Sequence, residues 1–432
     1  MIIYSAFFFL AAPLLFFVFV WRYGLRRTLR GLPERFSWGG EPCPSGVVWV
    51  HAASVGEVRA VESFLRALPA RFPGVPRLLT TTTVNGKELA QRLGLAETVR
   101  LAPIDRPGAV VRLIHRSKPK ALVLVETELW PHWLQTLSRH RVPVVVVNGR
   151  ISDKAFPLYS RARRLFGPLL STLARVGVQS PVHASRFLRL GASPESVAVT
   201  GNLKFDVPLP DLSRRSALRT AYGFSGDDPV WVAGSTHPGE ESAVMDVFTA
   251  LRKKYPALRL VSAPRHAQRA GEVARLFSDQ GFQVCLRSRL STHSGSMDVL
   301  VLDTVGELSD VYGAATLAFV GGSLVRKGGQ NPLEPARWGV PTLFGPHMEN
   351  FREVAALFLE NQAAVSVANG DELAAQIDSL LSMPDRREQV GAAARRVADG
   401  QRGALKANLD LLGEALAIPP HQLRRPHRCV PC

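Results

Sequence analysis

The chain has 432 residues, 46% of them hydrophobic, with 53 Lys and Arg against 36 Asp and Glu and a formal net charge of +17. That length suits two or three domains at roughly 100–200 residues each, and the apolar content excludes an intrinsically disordered chain. The charge favours anionic partners, and the four scattered cysteines exclude a disulfide framework. With no Arg/Lys–aromatic interleave of the RNA-binding kind, no nucleic-acid partner is expected.

The run "MIIYSAFFFLAAPLLFFVFVW", residues 1–21, carries no charge. As a helix it is about 31 Å long, close to the roughly 30 Å hydrocarbon core of a bilayer. Arg22, Arg26, Arg27, Arg30 and Arg35 follow it. A secretory signal puts its positive charge before the apolar run and ends in a small-residue cleavage site, and this segment does neither. The expectation is one N-terminal transmembrane helix, a basic juxtamembrane segment over 22–46 and a cytoplasmic body.

Beyond it, short Val/Ile/Leu runs alternate with helical patterns. "VVWV" precedes a helix over Gly56 to Leu68, and "RLLTTTT", "ALVLVE", "VPVVVVN" and "VGVQS" follow, each next to a helical stretch. Near-continuous apolar strands between helices predict an α/β domain with a parallel sheet covered on both faces, here over 47–205. "DVPLPDLSRRS", residues 206–216, reads as a linker. A second such domain is predicted over 217–418, with a helix from Glu240 to Tyr255 and another from Gln268 to Gln280. A basic tail over 419–432 ends in "HRCVPC", and one C-x-x-C pair lacks the other two ligands of a zinc site.

Polar residues collect where strands end. Ser54 and Glu57 in "HAASVGEVRA" have capping-box spacing, yet Glu57 also sits where a general base would stand. "ETELWP" supplies Glu126 and Glu128, and "GNLKFD" supplies Lys204. "AGSTHPGEE" and "SAPRH" supply Ser235, His237, Arg265 and His266, of which Arg265 suits a phosphate. "KGGQNPLEPA" puts Asn331 at a helix cap, Pro332 at its first position and Glu334 in its first turn. There the carboxylate either serves the helix dipole or accepts from a ribose diol, with nearby backbone amides holding the rest of the ligand. No P-loop, G-x-S-x-G, H-E-x-x-H or D-x-D motif is present, so no metal or cofactor is expected.

Taken in order, these motifs together with "TTTTVNGKELA", "NGRISDKAFPLYSR" and "DTVGELSDVYGAA" resemble the 3-deoxy-D-manno-octulosonic acid (Kdo) transferase family. The resemblance implies a GT-B glycosyltransferase fold, two Rossmann-like domains facing a central cleft. The first would bind the acceptor lipid IVA, the lipid A precursor of the inner membrane, and the second the donor CMP-Kdo. It implies Glu57 as catalytic base and Glu128 and Lys204 as transition-state supports. It implies a CMP site of Pro264, Arg265, the Gly306, Glu307, Leu308 run and the Asn331, Pro332, Leu333, Glu334 run. Ser235, His237 and His266 are further candidates near the donor phosphate. The dipole of its helix is expected to keep the Glu57 pKa from being high. "FPLYSRARRLFGPLL" is expected to lie on the membrane, to line the acceptor entrance, or simply to pack on the domain.

Two other readings remain open on the sequence. One is a GT-B transferase of another nucleotide sugar, which UDP competition would expose. The other is an inactive membrane-tethered anion-binding protein, whose binding would fall steeply with salt and ignore Glu57→Ala.

Overall fold

The computed structural model describes residues 4, 17, 18, 20, 21, 24–39, 42–226, 228–292, 295–419 and 421–424. The chain forms two compact units, Met1–Asp206 with Arg402–Cys432, and Val207–Gln401.

The first unit is built on a parallel sheet of β1 (Val48–His51), β2 (Arg77–Thr81), β3 (Thr98–Leu101), β4 (Ala121–Val125), β5 (Val144–Gly149), β6 (Arg175–Val178) and β7 (Val197–Val199), in the order β3-β2-β1-β4-β5-β6-β7. Alternate residues of β1 serve two cores. Trp49, with Val47 just before the strand, packs with Leu122, Leu124 and Trp133 on one face, and Val48 and Val50 pack with Val123 and Val145 on the other. Both faces are buried, which is why β4 and β5 read as unbroken apolar runs. The order reverses between β1 and β4. In open α/β sheets that reversal opens a crevice at the carboxyl ends of the strands.

Several boundaries differ from the sequence expectation. The helix predicted over Gly56 to Leu68 is two helices, Val55–Ala60 and Glu62–Arg71, because Val61 leaves helical geometry at φ −105°, ψ 10°. The last helix, Ala404–Ala417, was assigned by sequence to the second domain, but it belongs to the first unit. Leu409, Leu412 and Ala415 bury themselves in the core beneath β1 and β4, and Asp206 takes the N–H groups of Gly403 and Leu405 at its start. The stretch expected as linker is partly helical, since Arg214–Ala221 begins inside it. At the start of the basic tail, the Arg424 guanidinium donates to Ser193 Oγ at 2.7 Å.

The helix Leu25–Arg35, expected as a juxtamembrane segment, docks on the first unit. Glu34 accepts the N–H of Leu101 at 2.8 Å and pairs with Lys87 at 2.6 Å, while Arg35 donates to the carbonyl of Thr82 at 2.7 Å. Among the described residues no helix is long and apolar enough to cross a membrane. The expected anchor over 1–21 lies outside the described residues save for Tyr4, Phe17, Val18, Val20 and Trp21, and so do Cys429 and Cys432.

The second unit repeats the plan with β8 (Val230–Thr236), β9 (Arg259–Pro264), β10 (Val284–Leu286), β11 (Val299–Val301), β12 (Leu317–Val320), β13 (Thr342–Phe344) and β14 (Ala364–Ser366). Its parallel order is β10-β11-β9-β8-β12-β13-β14, reversing between β8 and β12. Trp231, Ala233 and Phe319 face one core, and Val230, Val232 and Ala318 the other. The predicted helices here run Glu240–Lys254 and, after a 3-10 turn over Ala267–Arg269, Ala270–Ser278.

Candidate active site

In the first unit the site grows from the β1–β4 reversal. Ser54 caps the helix Val55–Ala60 in extended geometry, and its side chain accepts the N–H of Glu57. The Glu57 carboxylate turns back to accept the N–H of Ala53 at 2.8 Å, with Ser54 Oγ at 3.2 Å. The bland capping role and the position at the strand end are thus one geometry. The expectation of an unraised pKa fails. Burial pushes the Glu57 carboxyl up to about 7, with Glu128 and Glu126 adding to the rise against the hydrogen bonds from Ala53 and Ser54. Loss of hydration outweighs the single helix turn's dipole.

Glu126 and Glu128 lie just beyond β4. Glu126 takes φ +60°, and its carboxylate stands 3.8 Å from Lys204 Nζ. Lys204 is therefore placed on Glu126. Glu128 instead accepts from Trp130 Nε1 at 2.9 Å and lies 3.8 Å from His51 Nε2. Lys204 is exposed, but its backbone is fixed. Buried Asn148, at φ +55°, accepts the N–H of Leu203 at 3.0 Å, and Asn202 accepts that of Lys204 at 3.0 Å.

In the second unit Ser235 sits at φ +57° at the end of β8, and His237 follows. The His237 ring lies 6.1 Å from that of His266 and 3.4 Å from Gln330 Nε2. Burial holds the His237 pKa down, with Glu240 opposing and His266 and Lys327 assisting. Pro264 ends β9 and Arg265 is exposed beside it, its N–H bonded to the carbonyl of Thr236 at 2.9 Å. Arg265 also acts electrostatically on Glu334. Burial raises the Glu334 pKa, against the charge of Arg337, the 3.4 Å amide of Asn331 and the charge of Arg265. The helix there starts one residue later than expected, at Leu333 after Pro332, while Asn331 Oδ1 still accepts the Leu333 N–H at 3.1 Å.

Two candidates are already occupied. Glu307, between Gly306 at φ +97° and Leu308, holds Arg287 at 3.0 Å and Thr304 at 2.7 Å. Of the nearby backbone amides, none named individually by the sequence expectation, those of Gly322, Ser323 and Leu324 all go to one side chain, the fully buried Glu240, at 2.6, 3.0 and 2.9 Å. Glu240 also accepts from His237 N at 2.9 Å. It stitches β8, β12 and the glycine loop together, and Gly321 permits this approach because a Cβ there would lie 2.6 Å from the Ser235 carbonyl oxygen.

The family model for 3-deoxy-D-manno-octulosonic-acid transferases (kdotransferases) matches residues 30–207. The 3-deoxy-D-manno-octulosonic acid transferase of Haemophilus influenzae is 35% identical over 393 residues, 89% of this chain and 91% of its relative. That of Bordetella pertussis is 34% identical over 419 residues, 92% and 96% of the two chains. This chain belongs to the Kdo transferase family. Its fold is also that of a glycosyltransferase from Rickettsia africae, with a TM-score of 0.56 at 12% identity over 87% of this chain and all of that one.

Sequence reasoning missed three residues that shape the sites of this Kdo transferase family member. Glu240 reads as an ordinary first-turn carboxylate until its four N–H partners are seen. His51, buried in β1 with its Nδ1 3.0 Å from Thr80 Oγ1, reads as part of a strand. Asp105 reads as a loop residue, but it is buried and accepts the N–H groups of His132 and Trp133, the first turn of the helix Pro131–Arg139 that follows Glu128. The only signal available for Asp105 was "IDRP", a polar residue before a proline at a strand end.

Proposed function

We propose that this chain is an inverting glycosyltransferase that moves Kdo from CMP-Kdo to the lipid A precursor lipid IVA, releasing CMP, in lipopolysaccharide synthesis. The observation that carries the mechanism is Glu57, a half-buried carboxylate at the sheet reversal whose pKa lies near 7. A general base works best with a pKa near the working pH, and burial supplies that shift here. Glu57 takes the proton of the acceptor hydroxyl as its oxygen attacks the anomeric carbon of Kdo. That carbon carries a carboxylate, to which Lys204 offers a cation. Glu128, held by Trp130, supports the developing positive charge on the sugar ring.

The donor falls to the second unit. Arg265 neutralises the single phosphate of CMP, with His237, His266 and Ser235 beside it, and the Glu334 carboxylate accepts from the ribose hydroxyls, steadied by Asn331. Arg265 and Glu334 already interact, so a ligand that brings an anion to one and donors to the other satisfies both. The uncharged run over residues 1–21 and the arginines after it support attachment to the inner membrane with the body on the cytoplasmic side, although the Tyr4 hydroxyl donates to Asp105 of the first unit at 2.7 Å.

The test is transfer from freshly made CMP-Kdo to lipid IVA with EDTA present, products being resolved by mass. Wild type should form Kdo-bearing product and Glu57→Gln should lose at least about two orders of magnitude in kcat. Folded wild type that yields no product would overturn the substrate pair.

A further inference from the structure

The helix Phe156–Arg161 runs into a second helix, Arg163–Leu170, with a break at Ala162 (φ −91°, ψ 16°). The break brings Arg161, Arg163 and Arg164 to the wall of one open cavity of about 810 Å³, also lined by Ser160, Ser171 and Gly191. Gly191 takes φ +115°, and a Cβ there would lie 2.8 Å from Gly167 Cα. Only glycines let the two walls approach this closely. Between residues 150 and 194 the sequence has eight Lys and Arg and one acid, Asp153. Arg186 already holds the Asp153 carboxylate. The three cavity arginines have no ion-pair or hydrogen-bond partner among the described residues.

We propose that this cavity binds a phosphomonoester of the sugar acceptor, which deepens and rests on the acceptor assignment above. Three guanidinium forks and two hydroxyls with no local counter-ion match the three terminal oxygens of a phosphomonoester. The helix that carries Arg161 also touches the loop of the strand-end carboxylates. Two residues before Arg161, Tyr159 donates its hydroxyl to the carbonyl of Thr127 at 3.5 Å, next to Glu128. An acceptor gripped by its phosphate here would run toward the carboxylates at the β1–β4 reversal. Leu158, 67% exposed on the same helix, offers apolar surface to the lipid that carries the phosphate.

The test measures binding of lipid IVA and of its dephosphorylated form, in detergent and without donor, so the result does not depend on turnover. Wild type should lose about ten- to a hundredfold in affinity when the phosphates are removed, the range for charge-assisted hydrogen bonds. The variant Arg161→Gln/Arg163→Gln/Arg164→Gln should bind both forms with the same weak affinity. The single substitution Arg164→Gln should show a smaller loss in the same direction and serves if the triple variant fails to fold. Undiminished discrimination in folded variants, or no discrimination by wild type, overturns the proposal. A third arm uses phosphatidylglycerol vesicles without acceptor. If the substitutions abolish vesicle binding while acceptor discrimination persists, the arginines serve bulk lipid and the proposal fails. Failure of wild type to transfer Kdo, with phosphate discrimination intact, would refute the assigned reaction and leave this site standing.

Discussion

The Glu57 carboxylate and the backbone N–H of Ala53 are joined at 2.8 Å, across the turn that leaves β1. This bond fixes the side chain, and burial sets its proton affinity near pH 7. The acid limb of kcat/KM should therefore bend near pH 7 with a slope of one. In Glu126→Gln the bend should move to lower pH, because one neighbouring negative charge is gone. Steady-state rates from pH 5 to 9 check both.

The same carboxyl costs stability. Its folded pKa of about 7 lies above the ordinary 4.5, so the folded chain binds the proton more tightly than the unfolded chain. Stability then falls as pH rises between about 4.5 and 7. Glu57→Gln should flatten that segment and melt above wild type at pH 8, as thermal unfolding followed by circular dichroism would show. An unchanged pH dependence would contradict the raised value.

Glu240 accepts four backbone N–H groups in a site without solvent exposure. Glu240→Ala orphans all four and should destabilise the fold by about 3 kcal/mol or more, since each buried unmet donor costs roughly 1–3 kcal/mol. Urea unfolding measures it. Donor KM should rise in the same variant, since the glycine loop and His237 lose their common anchor.

Asp105 should act on catalysis without touching substrate. Its carboxylate holds the first turn of the helix after Glu128, and burial lifts its pKa to about 6. Asp105→Ala should cost about 1–3 kcal/mol of stability. It should lower kcat more than it raises acceptor KM, because Glu128 and Trp130 lose their register. Asp105→Asn, which keeps one acceptor oxygen, should recover part of both.

Arg265 is exposed, and among the described residues its side chain makes no hydrogen bond or ion pair, acting only through its charge on Glu334. Arg265→Ala should leave the melting temperature within about 1 °C while weakening CMP binding about ten- to a hundredfold, the worth of a charge-assisted phosphate contact. Calorimetric titration with CMP decides it.

The α/β plan was legible because a strand buried on both faces must be apolar at every position, and β4 and β5 are. The strand-end polar residues were legible for the opposite reason, since nothing apolar is needed where strands open to solvent. What escaped was any property set by partners distant in sequence. An amphipathic helix such as Ala404–Ala417 presents the same stripe whichever sheet it covers, so its return to the first unit could not be read. Glu240 and Glu57 are both first-turn carboxylates by pattern. Only the fold shows that one is spent on the glycine loop and the other is left half-buried beside two like charges. The helix dipole was the local cue for Glu57, and desolvation, a property of the packed molecule, overruled it.

The bonds from Gly403 and Leu405 to Asp206 bring together the points where the chain leaves the first unit and re-enters it. The second unit is thus an uninterrupted insertion whose two ends emerge side by side. Residues 207–401 are a natural excision, and a few glycines joining 206 to 402 should restore a continuous first unit with its last helix in place. The two halves should then be obtainable as separate polypeptides, and the proposed acceptor and donor sites studied each on its own scaffold.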